Sequence, residues 1–592
     1  MMRVLKAMLL FAIVPVSFAQ EGGTENSEWM SVGNTWFESQ GNGTLGRLIA
    51  LGTNGDVHFV WTRGVEYTGR NAHAYYNCWD ESSGSLLSDT GAQMNLYSPA
   101  RFPTVALHSS GVAISTFNEP YLSGPSRLSV ALDFFPCTAA FTPYIVSEDT
   151  IVIWPKVDVD PFDRIHVVAT TSDEPRRHCY MRASIDDTSN FEWELNWDIP
   201  LTEIASVGTN FPTVDIACSR NSQRVARAWI QDQEIGHVRS NVMLDVSEDG
   251  GLNWSSFGAF TNLGEVDTAC VSHGGDPVTC NGDTFRPYQD LSILFDNNDN
   301  VHVAFTTYRF HYFDINGDEP NDGWHSAIWH WSEESFEFSV IGTAWYDHES
   351  ANFLLGPMCR KPSLAIDTTT GYLFCAFQQY DHEAYGPCET GIGEYYLTVS
   401  QDNGRHWAVP TNVSNTPGEP NMQGGETPSE QDISLAKYIT DGYVHALYMH
   451  DYAAGYFPNI ECGDWLNAMI YMKTPVTDVP TEPLNPDWQF HASGTPTGEA
   501  PEVYPESITL YPNFPNPFNA STTLQFDLVK SGSVRLIVID VTGREVAVLV
   551  DKRMSAGTHQ VEFEGPNLAS GVYFAKLEFG GSVFARKMVL LK

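Results

Sequence analysis

The sequence predicts an all-β protein. Short apolar strands recur around tight turns, no stretch keeps a helical period, and a proline-rich segment separates a long repeat region from a short alternating tail. The clearest unit runs from Pro287 to Phe305, PYQDLSILFDNNDNVHVAF. Leu291 to Phe295 form an apolar strand and Asp296 to Asn300 a tight acidic turn. Val301, Val303 and Phe305 then alternate with His302 and Ala304, which reads as an antiparallel hairpin.

The same unit begins at Arg47, Pro103, Pro155, Pro212, Lys361 and Asp432. With the first example that makes seven copies, spaced by roughly 50 to 80 residues, the scale of a propeller blade with loop insertions. A hairpin cannot bury both faces alone, so the copies must stack on one another. The expected architecture is a six- or seven-bladed β-propeller over residues 25–475. Seven hairpins favour seven blades, and the closing blade is expected to borrow a strand from the residues near Trp36, because ring closure protects edges.

Composition narrows the function. A net charge of −41 excludes partners that are themselves polyanions, nucleic acid and anionic membrane surfaces among them. The acidity suits an exported chain, or one whose carboxylates hold cations. The 16 Trp and 25 Tyr read mainly as blade packing, with sugar-stacking platforms as the functional alternative.

Residues 1–19 read as a signal peptide: Arg3 and Lys6, an apolar run from Ala7 to Val16, then Ser17-Phe18-Ala19 before Gln20. That run is short for a membrane span, and no later stretch reads as one. All ten cysteines follow the signal, which permits disulfides in an oxidising compartment. Cys270 with Cys280 is the best local pair and Cys359 with Cys388 the second. Without a CxxC, neither a redox motif nor a zinc ribbon is expected.

Residues 476–506, rich in Pro, Thr, Glu and Gly, read as a stiff linker. Residues 507–592 then alternate as half-buried strands, among them Leu524-Phe526-Leu528 and Val534-Leu536-Val538. Pro515-Asn516-Pro517-Phe518-Asn519, Gly543-Arg544-Glu545, Gly571-Val572-Tyr573 and Lys587-Met588-Val589 stand there in order. This stretch resembles the C-terminal sorting domain of type IX secretion substrates, which is similar to the Ig-like module of the flagellar hook-capping protein. The resemblance implies a small Ig-like β-sandwich, recognition by that secretion machinery, and release or surface anchoring beyond an outer membrane.

Two octapeptides, Ser247 to Trp254 and Ser400 to Trp407, fit S-x-D-x-G-x-x-W. They resemble the Asp box of sialidase-like propellers, in which the Asp accepts turn amides, Gly takes a positive φ and Trp caps the turn. The box residues are Ser247, Asp249, Gly251 and Trp254, then Ser400, Asp402, Gly404 and Trp407; Ser184-Ile185-Asp186 leading to Phe191 reads as a decayed third copy. Such boxes lie on the outer part of the blades and imply a fold, not a reaction. The propeller family favours six blades.

Sialidases also bind a carboxylate with three arginines and use a Tyr–Glu pair with an Asp acid/base. Arg47, Arg101, Arg286 and Arg360 fall at the entry of inner strands, with Arg47, Arg286 and Arg360 as candidates for the clamp. Glu426, Glu430, Tyr448 and Tyr452 are the nearby candidates for the Tyr–Glu pair, and the competing reading pairs the arginines with carboxylates between blades. His58, His166, His302 and His445 share one position in the second strand of four copies and are expected to hydrogen-bond structurally. Asp314, Asn316, Asp318 and Asp322 have calcium-loop spacing, but His325 stands where an EF-hand needs an acid, so an acidic surface loop competes. No cofactor is required, with calcium as the candidate. Two functions follow: a non-catalytic module binding glycan or extracellular protein, which the missing acid/base set favours, or a sialidase-type glycoside hydrolase.

Overall fold

The computed structural model describes residues 27–484 and 509–591. Within these it leaves out 67–70, 121–123, 147–150, 189–191, 205–211, 233–239, 260–284, 310–325, 336–337, 345–357, 386–390, 417–427, 453–464, 520, 529–531, 555–556, 566–567 and 580–581. Among the described residues every regular element is a strand except one turn of 3₁₀ helix at Val476–Asp478. It divides into two compact units.

The first unit holds seven sheets, one for each predicted hairpin, antiparallel except where Tyr438–Ile439 pairs in parallel with Cys359–Asp367. Their inner strands are Ile49–Leu51, Arg101–Leu107, Val152–Val159, Val214–Cys218, Phe285–Phe295, Cys359–Asp367 and Ser429–Leu435. The seventh blade is completed by Glu28–Thr35, which pairs antiparallel with Asn467–Pro475. That strand comes from just before Trp36, so the first described residues close the ring and cover an edge that would otherwise be open. Of the two blade numbers expected, seven stands and six does not.

A chain of hydrogen bonds links each inner strand to the next. Val105 N donates to Arg47 O (2.8 Å) and Thr104 Oγ1 to Pro155 O (3.5 Å). Cys218 N then donates to Asp158 Oδ2 (2.7 Å) and Ile293 N to Asp215 Oδ2 (3.3 Å). Leu364 N reaches Ser292 Oγ (3.1 Å), Leu435 N reaches Ser363 Oγ (2.9 Å) and Leu48 N reaches Ser434 Oγ (3.0 Å). Packed apolar clusters fill the spaces between blades, such as Ala365, Phe374 and Leu397 with Ile433 and Leu447's neighbour Ala446.

Five inner strands carry a bulge at the same place. Phe102, Trp154, Gln289, Lys361 and Asp432 have φ of 59°, 54°, 59°, 57° and 56°, each beside a register shift. A bulge kinks the strand and re-aims its side chains, here around the ring axis.

The four equivalent histidines hydrogen-bond within their own blades. Nδ1 of His58, His166 and His445 meets the hydroxyl of Tyr76 (2.7 Å), Tyr180 (2.9 Å) and Tyr471 (2.6 Å) on the next strand. His302 meets His330 Nε2 instead (2.9 Å). The two S-x-D-x-G-x-x-W turns pack onto these rings. Gly251 has φ 86°, and a Cβ there would lie 1.9 Å from Tyr180 Oη; Gly404 has φ 82°, and a Cβ would lie 2.0 Å from His330 Cε1. Only glycine fits either approach.

Three expectations change. Residues 476–484 are part of the propeller unit: Val479 is buried, and Leu484 N donates to Trp407 O (2.9 Å). Proline-rich composition did not prevent them from packing. Cys359 is a buried thiol beside Ser326 Oγ (3.3 Å), not half of a disulfide with Cys388, and among the described residues a disulfide joins Cys78 to Cys137. Ser184 and Ile185 lie in a hairpin ladder opposite Asn196 and Leu195, so they form no third box. Cys270, Cys280, Cys388 and Phe191 lie outside the described residues.

The second unit is two facing sheets, Thr509–Leu510 with Ser521–Leu528 and Gly557–Glu564, and Glu545–Met554 with Gly532–Asp540, Gly571–Phe579 and Ser582–Leu590. Leu524, Phe526, Leu536, Val538, Ala575 and Leu577 fill the space between them. Alternation along each strand is what buries one face and wets the other.

Candidate functional site

The bulged inner strands bring charge to the ring axis. Lys361 Nζ pairs with Asp432 Oδ1 on the next blade, and Lys437 Nζ with Asp158 Oδ2 (2.5 Å) and Cys218 O (2.8 Å). Burial alone would lower the Lys437 amine; Asp158 outweighs it, and the net shift is upward. Lys156, enclosed beside Pro155 O (3.4 Å), is pulled down to about 8 by burial. Burial pushes the Asp215 and Asp290 carboxyls up to about 6 each, against the pull of Arg47 on the first and of Thr306 and Lys361 on the second.

Among the described residues, the candidate arginines each take a different protein partner. Arg47 Nη1 donates to Ser363 Oγ (3.2 Å) and Leu435 O (3.1 Å), and burial lowers its pKa against Asp215 and Asp158. Arg360 Nη2 donates to the Tyr380 hydroxyl, and Arg101 lies over the Phe37 ring (4.9 Å). The Arg286 side chain and Glu426 lie outside the described residues. Register explains the spread. Arg101 and Arg360 stand directly before their bulges, Arg286 stands further upstream, and Arg47 follows the kinked position at Gly46.

Where the inner strands begin, two carboxylates meet between the sixth and seventh blades. Glu430 is fully buried and Glu394 is 3% exposed. Thr416 Oγ1 lies 2.8 Å from Glu430 Oε2 and 3.2 Å from Glu394 Oε2; Ser414 Oγ donates to Glu394 Oε2 (2.8 Å). His450 Nδ1 lies 2.9 Å from Glu430 Oε1. Burial, and then the Glu430 charge, push the Glu394 carboxyl up to about 8. Such a pair can relay a proton in principle. Tyr448 is buried beside it, and the half-buried Tyr452 ring stands edge-on to His450 at 4.8 Å. Thus two of the four proposed Tyr–Glu residues flank the pair, with Glu430 inside it. Sequence reasoning missed Glu394, although one carboxylate in the otherwise apolar run GIGEYYLTV was a usable signal.

At the other end of the ring, where the inner strands turn back, lies a cavity of about 370 Å³. Ile49, Leu51, Val105, Leu107, Val159 and Tyr438 give it apolar walls, and Arg47, Asp158, Asp160, Asp163, Arg220 and Lys437 its charge. It shares no lining residue with the Glu394–Glu430 pair.

The calcium-type residues Asp314, Asn316, Asp318 and Asp322, with His325, lie outside the described residues. Among the described residues His58, Cys78 and Cys137 cluster as metal ligands might, but the two sulfurs are bonded to each other. The box residues make turns: Ser247 Oγ accepts Gly251 N (2.7 Å) and Asp249 Oδ1 accepts Asn253 N (2.8 Å). In the second, Ser400 Oγ accepts Gly404 N (2.8 Å) and Asp402 Oδ1 accepts His406 N (2.9 Å). Trp254 Nε1 donates to Gly251 O (3.0 Å), and Trp407 is buried.

In the tail, Asn516 fastens the Pro515–Phe518 loop to the last strand. Its Oδ1 accepts Val589 N (2.8 Å) and its Nδ2 donates to Lys587 O (3.2 Å). Pro517 precedes Phe518, which is buried; Tyr573 Oη donates to Ala569 O (2.8 Å). Arg544 Nε pairs with Asp540 around Gly543 (3.0 Å), and Gly571 opens the strand that carries Tyr573.

The ring and the tail together define an exported propeller protein. Residues 513–591 match the secretion system C-terminal sorting domain, so the chain is exported and either secreted or attached at the cell surface. No curated protein matches the sequence. Solved structures with similar folds include the α-L-arabinofuranosidase Arb93A from Fusarium graminearum, at 9% identity and TM-score 0.36, covering 65% of this chain and 96% of that one. The polysaccharide lyase Uly1 shares 11% identity at TM-score 0.40 (73% of this chain, 90% of that one), and the Hadza microbial sialidase Hz136 11% at 0.32 (69% and 74%). Likeness at this level carries nothing about what the chain acts on.

Proposed function

We propose that the chain is an exported seven-bladed propeller that binds a glycan without cleaving it. The observation that carries this reading is the sealing of its chemistry. Among the described residues, the Glu394–Glu430 pair is buried, while Arg47, Arg360, Lys361 and Lys437 each hold a protein group. A hydrolase needs an acid and a base on opposite sides of an accessible bond. The ligand surface is assigned to the ring end where the inner strands begin, which bears Arg360 and Glu430.

The two S-x-D-x-G-x-x-W turns read as Asp boxes, on the strength of their Ser and Asp hydrogen bonds. The tail reads as Ig-like, supported by its two facing sheets and by the Tyr573–Ala569 bond, a tyrosine-corner contact. Its partner is then a type IX secretion machinery.

A sialidase-type hydrolase is the second reading, and the meeting of Glu394 and Glu430 through Thr416, with the Glu394 carboxyl raised, is what favours it. Binding of the purified chain to an array of immobilised polysaccharides tests the first reading. Saturable binding to one class supports it, and a blank array with hydrolysis of a fluorogenic sialoside, lost in Arg360→Ala, overturns it.

A further inference from the structure

We propose that Ser110, His108 and Asp163 form a nucleophilic relay that cleaves small carboxylic esters, whose acyl group enters the cavity where the inner strands turn back. This stands apart from the glycan reading, which concerns the other end of the ring and no ester bond.

His108 and Asp163 both line that cavity, as do Ser109 and Gly111 on either side of Ser110. They come from two blades: His108 follows the strand Arg101–Leu107, and Asp163 follows Val152–Val159. The Ser110 hydroxyl meets His108 Nδ1 at 2.8 Å, and His108 Nε2 lies 3.5 Å from Asp163 Oδ2. Hydroxyl, imidazole and carboxylate in series are the parts of an activated serine, recognised by their contacts and not by their spacing in sequence. Contacts of this kind are often long without substrate and tighten when it binds.

The backbone sets the tautomer. The Ser110 amide lies 3.1 Å from His108 Nδ1 and can only donate, so Nδ1 keeps its lone pair and Nε2 turns its proton toward Asp163. Asp163 is held in turn by the amide and hydroxyl of Ser109, at 2.7 Å each. Ser110 is exposed and His108 half-buried, so an ester reaches the hydroxyl from solvent.

Ser110 Oγ bonds to the ester carbonyl carbon and gives its proton to His108 Nδ1. The alcohol leaves with that proton, and the acyl group stays on Ser110. Water then attacks the acyl-serine and gives a proton to Nδ1; the acid departs, and Oγ takes the proton back. No other reactant is consumed. Leu51, Leu107 and Val159 line the same cavity as His108, and about 370 Å³ is room for a short aliphatic chain. Asp158 and Lys437, which also line it, are paired with each other.

The test is hydrolysis of p-nitrophenyl butyrate by the full-length chain, with a fluorophosphonate probe as the covalent readout. Nitrophenolate release should be catalytic, and peptide mass spectrometry should find the probe on Ser110. Ser110→Ala, on an exposed turn, should lower release at least about a hundredfold. His108→Gln should do the same, while its amide oxygen keeps an acceptor for the Ser110 amide; should it not fold, Ser110→Ala decides alone. Asp163→Asn should lower kcat and leave KM unchanged, as expected of a residue that positions the imidazole. Leu51→Trp, which narrows the cavity, should turn the preference for butyrate into one for acetate. Release that survives Ser110→Ala, a probe on another residue, an unchanged kcat in Asp163→Asn, a butyrate preference that outlasts Leu51→Trp, or no release above buffer would each overturn the proposal.

Discussion

The Leu48 amide donates to the Ser434 hydroxyl at 3.0 Å, joining the first inner strand to the last across a sequence separation of 386 residues. Ser292 and Ser363 accept from Leu364 and Leu435 in the same way on the preceding blades. Ring closure thus uses the same contact as two of the ordinary steps between blades. Ser434→Ala should strand a buried amide and cost about 1–3 kcal/mol in urea unfolding. Ser110→Ala, on an exposed turn, should stay within about 0.5 kcal/mol. Equal values for the two would mean that the contact does not hold the ring.

Glycine at the box turns should be irreplaceable for a steric reason. Gly404→Ala must place its Cβ against His330 at φ 82°, whereas Gly442 has φ 83° and nothing within 4 Å. We expect a loss of about 3 kcal/mol for Gly404→Ala and about 1 kcal/mol for Gly442→Ala. Similar losses at both sites would remove the docking of turn onto ring from the account.

Much of this was legible in advance. Each hairpin advertised itself through apolar alternation broken by Asp, Asn and Gly, and the tail through Pro515–Phe518 and Gly571-Val572-Tyr573. Glu394 stood out as a lone carboxylate in an apolar run, but its pairing was not legible, because Thr416 and Glu430 lie elsewhere in the chain and only packing brings them together. Nor were the bulges: positive φ at Trp154, Gln289 and Lys361 contradicts local preference and is imposed by the ring. Cys78 and Cys137 belong to different blades, and their pairing leaves no trace in spacing.

Proton uptake at Glu394 should shape stability against pH. Its carboxyl lies near 8 when folded against an ordinary 4.5, so the folded state holds a proton that the unfolded chain has released. The stabilising contribution is full below about pH 4.5 and is lost as pH rises through about 8, with a slope of at most about 1.4 kcal/mol per pH unit. Glu394→Gln, always uncharged, should flatten that part of the melting-temperature profile. A profile identical to the parent's would place the proton elsewhere.

Export should depend on how the Pro515–Phe518 loop is held. Removing residues 513–591 should leave the chain inside the cell. Asn516→Ala gives up both bonds to the last strand, an exposed contact worth about 0.5–1.5 kcal/mol, and should lower the exported fraction. Immunoblots of medium and cell fractions read this directly, and undiminished export of the truncated chain would contradict the assignment.

The most direct trial of the central claim follows reducing-end release and equilibrium binding together on one panel of polysaccharides, using the exported chain and Glu430→Gln. The account predicts saturable binding to one class of glycan, no new reducing ends, and the same absence of turnover in the variant. Steady release of reducing ends by the parent chain, abolished in a folded Glu430→Gln, would show that the buried carboxylate pair is a catalytic centre.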